Sequence, residues 1–310
     1  MKHLVTLADW STQDIREVLE LAMKVKANPA TYGSACLRRT MLMIFEKPSL
    51  RTRISFETGM TQLGGHGIYY NTANSPMGSG KESLHDTIVT ASRFVDIVMA
   101  RLFEHENIEK MAEFSTVPVI NALTNYAHPC QILGDLQTIM EKKGDLSKLK
   151  LAYVGDSNNN VTHSLLFGCT KVGMSISVGC PEGEEYEPRA EVLEKANAFA
   201  EETGCVVEVH NDAAEAVKGA DVVYTDSWMS YHIDKDKQER RVADLMPFQV
   251  NSELTGRAND GAIFMNCLPA LRGYEQTAEV IDGPQSVVFD EAENRLHAQK
   301  AVVLRLLGKA

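Results

Sequence analysis

The 310 residues carry 31 Lys and Arg against 42 Asp and Glu, a formal charge of −11, which argues against a nucleic-acid binder, whose partner needs a basic surface, but leaves room for a locally basic pocket for a small anion. Apolar residues make up 44% of the chain, an ordinary globular share, yet no apolar run approaches the roughly 18–20 residues of a membrane span. The N-terminus turns polar too early for a signal peptide, so a cytoplasmic protein with no membrane and no nucleic-acid partner is expected. Cys36, Cys130, Cys169, Cys180, Cys205 and Cys267 form no Cys-x-x-Cys pair; neither a metal site nor a redox motif is expected, and no cofactor.

In chain order, residues 12–27 predict an amphipathic helix capped by Ser11 or Thr12. Residues 40–46 predict a buried strand, after which Pro48 and Ser49 open a helix that Gly64 and Gly65 close. A short strand (67–71), a Gly- and Pro-bearing loop and a helix (83–92) follow. Next come a strand (95–100), a helix (105–113), the strand PVINAL and a helix from about 129 to 142. A break falls at KKGDLSKLK. Beyond it stand strand LAYVGD, loop SNNN, helix VTHSLLFGCTKVG and strand SISVGC. A helix (188–203), strand VVEVH, helix AAEAVKGA and strand DVVYTD continue the alternation, and FMNCL and SVVFD read as further strands. Residues 291–308 predict a long helix.

Regular strand–helix alternation implies parallel sheets covered on both faces. The fold class expected is therefore α/β, with two doubly wound parallel-sheet domains and an active site in the cleft between them. The boundary is placed at residues 136/137, giving domains 1–136 and 137–291, with the helix 292–310 packing back on the first.

The sharpest local signal is EKPSLRTR, residues 46–53, which follows a strand and opens a helix. Free N–H groups and partial positive charge at a helix N-terminus suit a phosphate. Ser49 and Thr52 add hydroxyls, and Arg51 and Arg53 add guanidinium groups, one of which is placed to fork onto phosphate oxygens. A capped helix with two solvated arginines is the plain alternative. The second signal is HPCQ, residues 128–131, where Pro129 holds His128 extended and Gln131 stands in the first helical turn. A helix that merely starts with proline at its first position is the alternative there.

The run FEKPSLRTRISFETGMTQLGG resembles the carbamoyl-phosphate segment, Ser-x-Arg-Thr, of the aspartate and ornithine carbamoyltransferases, and HPCQ resembles that family's His-Pro-x-Gln. The likeness runs from KHLVTLADWS to ENRLHAQKAVVL, PEGEEYEP included. It implies that Ser49, Leu50, Arg51 and Thr52 hold the phosphate. His128 and Gln131 would meet the carbamoyl group, and Arg101 and Arg295 would serve the same carbonyl and phosphate. The resemblance adds Cys267 and Leu268 to the carbamoyl-phosphate set, with Cys267 beside the reacting amine and Arg101, His128, Cys267 and Arg295 as catalytic groups. On the acceptor side it implies Asn160 (or its neighbour Asn159) on the amino-acid carboxylate. It places Asp226 and Ser230 on the amino groups, and Tyr231 through its backbone. Read bare, an Asn run makes turns, an Asp after a strand caps a helix, and a Cys in FMNCL is core.

By this resemblance carbamoyl phosphate and L-ornithine are the expected substrates, citrulline the product and arginine metabolism the setting. A homotrimer, or a higher assembly of trimers, is the expected state. The chain also departs from the family. Ser230-Tyr231-His232 stands where Ser-Met-Gly is usual, Asn266 where His precedes Cys-Leu-Pro, and Pro76 where a glutamine reaches carbamoyl phosphate. Those changes keep a related amine (N-acylornithine, lysine or a diamine) as an alternative acceptor. Aspartate is disfavoured, because NCLPA lacks the arginine of His-Pro-Leu-Pro-Arg. A nucleotide-dependent oxidoreductase lacks its Gly-x-Gly-x-x-Gly, and a non-catalytic carbamoyl-phosphate-binding protein is the rival from another class.

Overall fold

The computed structural model describes residues 2–229 and 238–309. It divides into two compact units, one of Met1–Gln137 with Glu293–Ala310, the other of Thr138–Ala292.

The first unit holds α1 (Thr12–Ala27), β1 (Thr40–Phe45), α2 (Leu50–Gln62), β2 (His66–Asn71), α3 (Leu84–Ala91), β3 (Ile97–Arg101), α4 (His105–Phe114) and β4 (Val119–Leu123). The helix α5 (Pro129–Lys143) crosses the boundary at Gln137. Its sheet is parallel throughout, in the order β2-β1-β3-β4. Strands β3 and β4 are buried at every position, as expected of a parallel sheet covered on both faces. Ile44, Val98, Ala100 and Val119 form a core with Ile88 of α3 and Ile108 and Met111 of α4.

The second unit holds β5 (Lys150–Val154), α6 (Asn160–Val172), β6 (Ser175–Gly179), α7 (Ala190–Thr203), β7 (Val207–His210), α8 (Ala213–Val217) and β8 (Val222–Tyr224). It continues with α9 (Gln238–Leu245), α10 (Ser252–Thr255), β9 (Ile263–Met265) and α11 (Ala278–Ile281). Its parallel sheet runs β7-β6-β5-β8-β9. The last helix, α12 (Val288–Leu306), enters the first unit from Glu293 on. There Arg305 reaches Asp14 and Glu17 of α1, and Lys300 donates to Gln62 at 2.8 Å.

Both sheets are wound outward from an inner strand, β1 and β5, in one direction and then the other. Right-handed crossovers place the helices of the two directions on opposite faces. The order reverses between β1 and β3 and between β5 and β8, and loops at the C-terminal ends of such strand pairs diverge, leaving room for a ligand.

One expected strand is corrected. SVVFD supplies only a bridge from Ser286 to Phe264, and α12 already begins at Val288. Its Val-Val-Phe run imitates a strand, but Asp290 and Glu291 in the next positions favour a helix N-terminus. FMNCL likewise leaves the sheet after Met265, freeing Asn266, Cys267 and Leu268 to form a loop.

Candidate functional site

In the first unit the signals converge on the reversal between β1 and β3. The chain leaves β1 through Glu46, Lys47 and Pro48, and Ser49 caps α2, its hydroxyl accepting from Thr52 N at 3.3 Å. Ser49 and Arg51 are half-buried, while Leu50 is exposed. Arg101, the last residue of β3, is buried and donates to the Thr52 hydroxyl at 3.5 Å. Arg295 of α12 donates to the same hydroxyl at 3.3 Å and to Gln131 Oε1 at 2.6 Å. Gln131 in turn donates to Asp135 at 2.8 Å, one turn further along α5. One chain of contacts thus joins Arg101, Thr52, Arg295 and Gln131. Gly134 eases it: a Cβ there would lie 3.2 Å from Arg295 N, a tight contact that would push α5 and α12 apart by a few tenths of an ångström.

His128 is buried just before α5. Burial first, and then the positive charges of Arg295, Arg101, Arg51 and Lys47, hold its pKa well below the ordinary value. The imidazole is therefore neutral near pH 7 and suited to donating a hydrogen bond to a carbonyl oxygen.

Lys47 was not singled out from the sequence, although it lies inside the phosphate motif. It is buried, donates to Asn125 at 2.5 Å and lies 4.3 Å from the Phe103 ring centroid. Burial and the Arg101 charge push it down to about 8. Asn125 stands far along the chain, so no local pattern marks the contact. Pro76 is exposed, and its carbonyl gathers Lys81 N at 2.9 Å and Glu82 N at 3.2 Å, closing the loop after β2 on itself.

In the second unit the functional loops leave β5, β8 and β9. Asn159 caps α6: its Oδ1 accepts from Val161 N and Thr162 N, both at 2.9 Å. Its Nδ2 donates to the Tyr153 hydroxyl at 2.9 Å and Asp156 O at 2.6 Å. That amide is fully committed to the cap; Asn160, half-buried, opens the first turn. After β8, Asp226 Oδ1 accepts from Ser227 N at 2.7 Å and from the Cys267 thiol at 3.2 Å. Two residues 41 apart in the chain therefore share one spot. Ser230 and Tyr231 lie outside the described residues.

Arg241, Gly155 and Glu275 support this region, and no local sequence pattern marks them. Arg241 of α9 is buried, donates to Trp228 O at 2.8 Å and forms an ion pair with buried Asp156. The loops after β5 and β8 are thereby tied together. Gly155, at φ 132°, leaves room for the Trp228 indole, which would lie 3.0 Å from any Cβ added there. Glu275 is fully buried and accepts from Leu271 N at 2.6 Å. Burial, with Asp226's negative charge adding, pushes it up to about 7.

The chain matches two family models, aspartate/ornithine carbamoyltransferase carbamoyl-P binding domain over residues 2–141 and Asp/Orn binding domain over residues 147–306. A relative from Thermococcus kodakarensis, named ornithine carbamoyltransferase, is 47% identical over 309 residues, 99% of this chain and 96% of its own. One from Pyrococcus furiosus, named ornithine carbamoyltransferase, anabolic, is 45% identical over 99% of this chain and 96% of its own. The solved structure of ornithine carbamoyltransferase from Pyrococcus furiosus superposes with a TM-score of 0.94 at 45% identity, covering 99% of this chain and 97% of that one. The ornithine transcarbamoylase structure from Giardia lamblia gives 0.91 at 41% identity, over 98% and 97%.

Proposed function

Because the chain belongs to the aspartate/ornithine carbamoyltransferase family, we propose that it transfers the carbamoyl group of carbamoyl phosphate to the side-chain amine of L-ornithine, giving L-citrulline and phosphate. The observation that carries the donor half is the convergence of Arg101 and Arg295 on the Thr52 hydroxyl at the start of α2. Carbamoyl phosphate is a compact anion. It takes the N-terminal amides of α2 with Ser49, Leu50, Arg51 and Thr52, and its phosphate charge is answered by Arg51, Arg101 and Arg295.

Attack by the amine builds negative charge on the carbonyl oxygen and then on the departing phosphate. Neutral His128 donates to that oxygen, Gln131 orients the carbamoyl amide, and the arginines stabilise charge where it develops. The acceptor's side-chain amine has a pKa of about 10.4 in water, so reaching its neutral form near pH 8 costs about 3 kcal/mol. Asp226 and Asn160 orient the amino acid, with Ser230 and Tyr231 completing its binding, while Cys267 and Leu268 stand on the reacting side. Family membership, the order of these residues along the chain and the 3.2 Å Asp226–Cys267 contact support this assignment.

The first domain accordingly serves the donor and the second the acceptor. A cytoplasmic homotrimer working in arginine biosynthesis is the accompanying reading. The anabolic name of the Pyrococcus furiosus relative supports the direction. Exposed Leu50, Ile54, Ile68 and Phe94 in the first unit supply apolar surface for subunit contacts. The reading is tested by measuring citrulline formed from carbamoyl phosphate and ornithine; citrulline released at the rate of phosphate supports it, and phosphate released without citrulline overturns it.

A further inference from the structure

The loop after β9 carries Cys267 and Leu268, and its backbone is held by a chain of side-chain amides. Asn266 Oδ1 accepts from Leu268 N at 2.8 Å. Asn266 Nδ2 donates to Gln276 Oε1 at 3.1 Å. Gln276 Nε2 donates to Leu271 O at 3.2 Å. Both side chains are fully buried. The direction of every bond is dictated at its ends. Leu268 N–H only donates and Leu271 C=O only accepts, so neither amide can turn over without breaking two bonds. The chain closes on a residue that needs it, because Leu268 sits in the left-handed region at φ 56°, disfavoured for a side chain with a Cβ. The bond from its N–H to Asn266 offsets that cost.

We propose that Asn266 and Gln276 are the positioning residues of the acceptor side: their one-way amide chain fixes the backbone from Leu268 to Leu271 and thereby holds the Cys267 thiol against Asp226. The inference rests on the carbamoyltransferase reading for what that thiol faces. It accounts for Asn266 at a place where the family resemblance leads one to expect histidine. An imidazole spans donor and acceptor only while it keeps one proton, whereas an amide has no proton to gain or lose in the working range. The amide chain itself therefore contains no titrating group.

Two isosteric variants, Asn266→Asp and Gln276→Glu, test the idea. In each, a protonated carboxyl keeps both bonds, one oxygen accepting and the O–H donating. Ionisation removes the donor and sets two oxygens face to face. The charged groups around the chain are carboxylates. Glu291 Oε2 accepts from Asn266 N at 3.0 Å and Asp226 meets Cys267; Glu275, which accepts from Leu271 N, is pushed up to about 7 by burial, so it is charged only toward the basic end, in wild type and variants alike. Arg272 is engaged by Asp282 at 2.6 Å. The introduced carboxyls consequently ionise above their ordinary range.

The measurements are kcat and both KM values from about pH 5.5 to 9, each as a ratio to wild type. Alongside them, the iodoacetamide modification rate of Cys267 is followed in a Cys205→Ser background, since the other four cysteines are buried. The expected result is a kcat ratio near one at the acid end, falling roughly tenfold as the carboxyl ionises, with the Cys267 modification rate, divided by that of the Cys205→Ser parent at the same pH to remove ordinary thiol ionisation, rising over the same range. A flat kcat ratio and a flat modification-rate ratio to the parent in both variants, with native circular dichroism, overturn the proposal. If ornithine is not turned over by wild type but Cys267 modification still follows the predicted profile, the positioning role stands and the acceptor reading falls.

Discussion

Arg51 stands at the first turn of α2, where its guanidinium adds to the field that keeps His128 neutral. Arg51→Ala is expected to raise the KM for carbamoyl phosphate about a hundredfold and to lower kcat, since a charge-assisted contact contributes about 1.5–3 kcal/mol and here acts on developing charge as well. Near-wild-type steady-state kinetics would remove Arg51 from the site. Glu275 allows a second expectation with a definite sign. Its folded pKa, about 7, lies above the ordinary value of 4.5. Its protonated form therefore favours the folded state, and that contribution, complete below pH 4.5, is lost as pH rises through 7. Glu275→Gln should leave the urea midpoint unchanged near pH 4 and raise stability by about 1–2 kcal/mol at pH 8. An equal effect at both pH values would show that the carboxyl does not titrate in this window.

At the scale of elements, the α5–α12 approach over Gly134 sets where Arg295 points. Gly134→Ala should force a shift at 3.2 Å from the Arg295 backbone, cost about 1–3 kcal/mol of stability and weaken carbamoyl-phosphate binding more than acceptor binding. Isothermal titration with carbamoyl phosphate alone measures this, and unchanged affinity would contradict it. The alternation of strands and helices was legible in the sequence because parallel strands buried on both faces leave unbroken apolar runs, as in IVMAR and VINAL. The candidate residues at the strand ends were named from the family resemblance, and the structure brings some of them into contact: Arg101 and Arg295 on Thr52, Arg295 on Gln131, and Cys267 on Asp226. SVVFD misled because short β-branched runs also begin helices, and Phe289 is in fact 73% exposed on α12. Lys47, Arg241 and Gln276 stayed hidden for another reason. Each acts through a partner brought near only by folding, Asn125, Asp156 and Asn266 respectively.

For the whole molecule, 42 acidic against 31 basic residues give a formal charge of −11, so the proposed donor site has to supply its own positive charge to an anionic substrate, from Arg51, Arg101 and Arg295. Sedimentation equilibrium should give three times the 34.3 kDa chain mass, and Leu50→Asp with Ile54→Asp should shift it toward the monomer; a wild-type monomer at micromolar concentration would contradict the trimer. The central claim is the acceptor. Carbamoyl transfer measured at about pH 8, where the amine is partly deprotonated, with ornithine, N-acetylornithine, N-succinylornithine, lysine, putrescine and aspartate in parallel, tests it directly. Ornithine is expected to have the highest kcat/KM and to yield citrulline; a higher kcat/KM for another amine, or no transfer to any of them, would contradict ornithine as the acceptor.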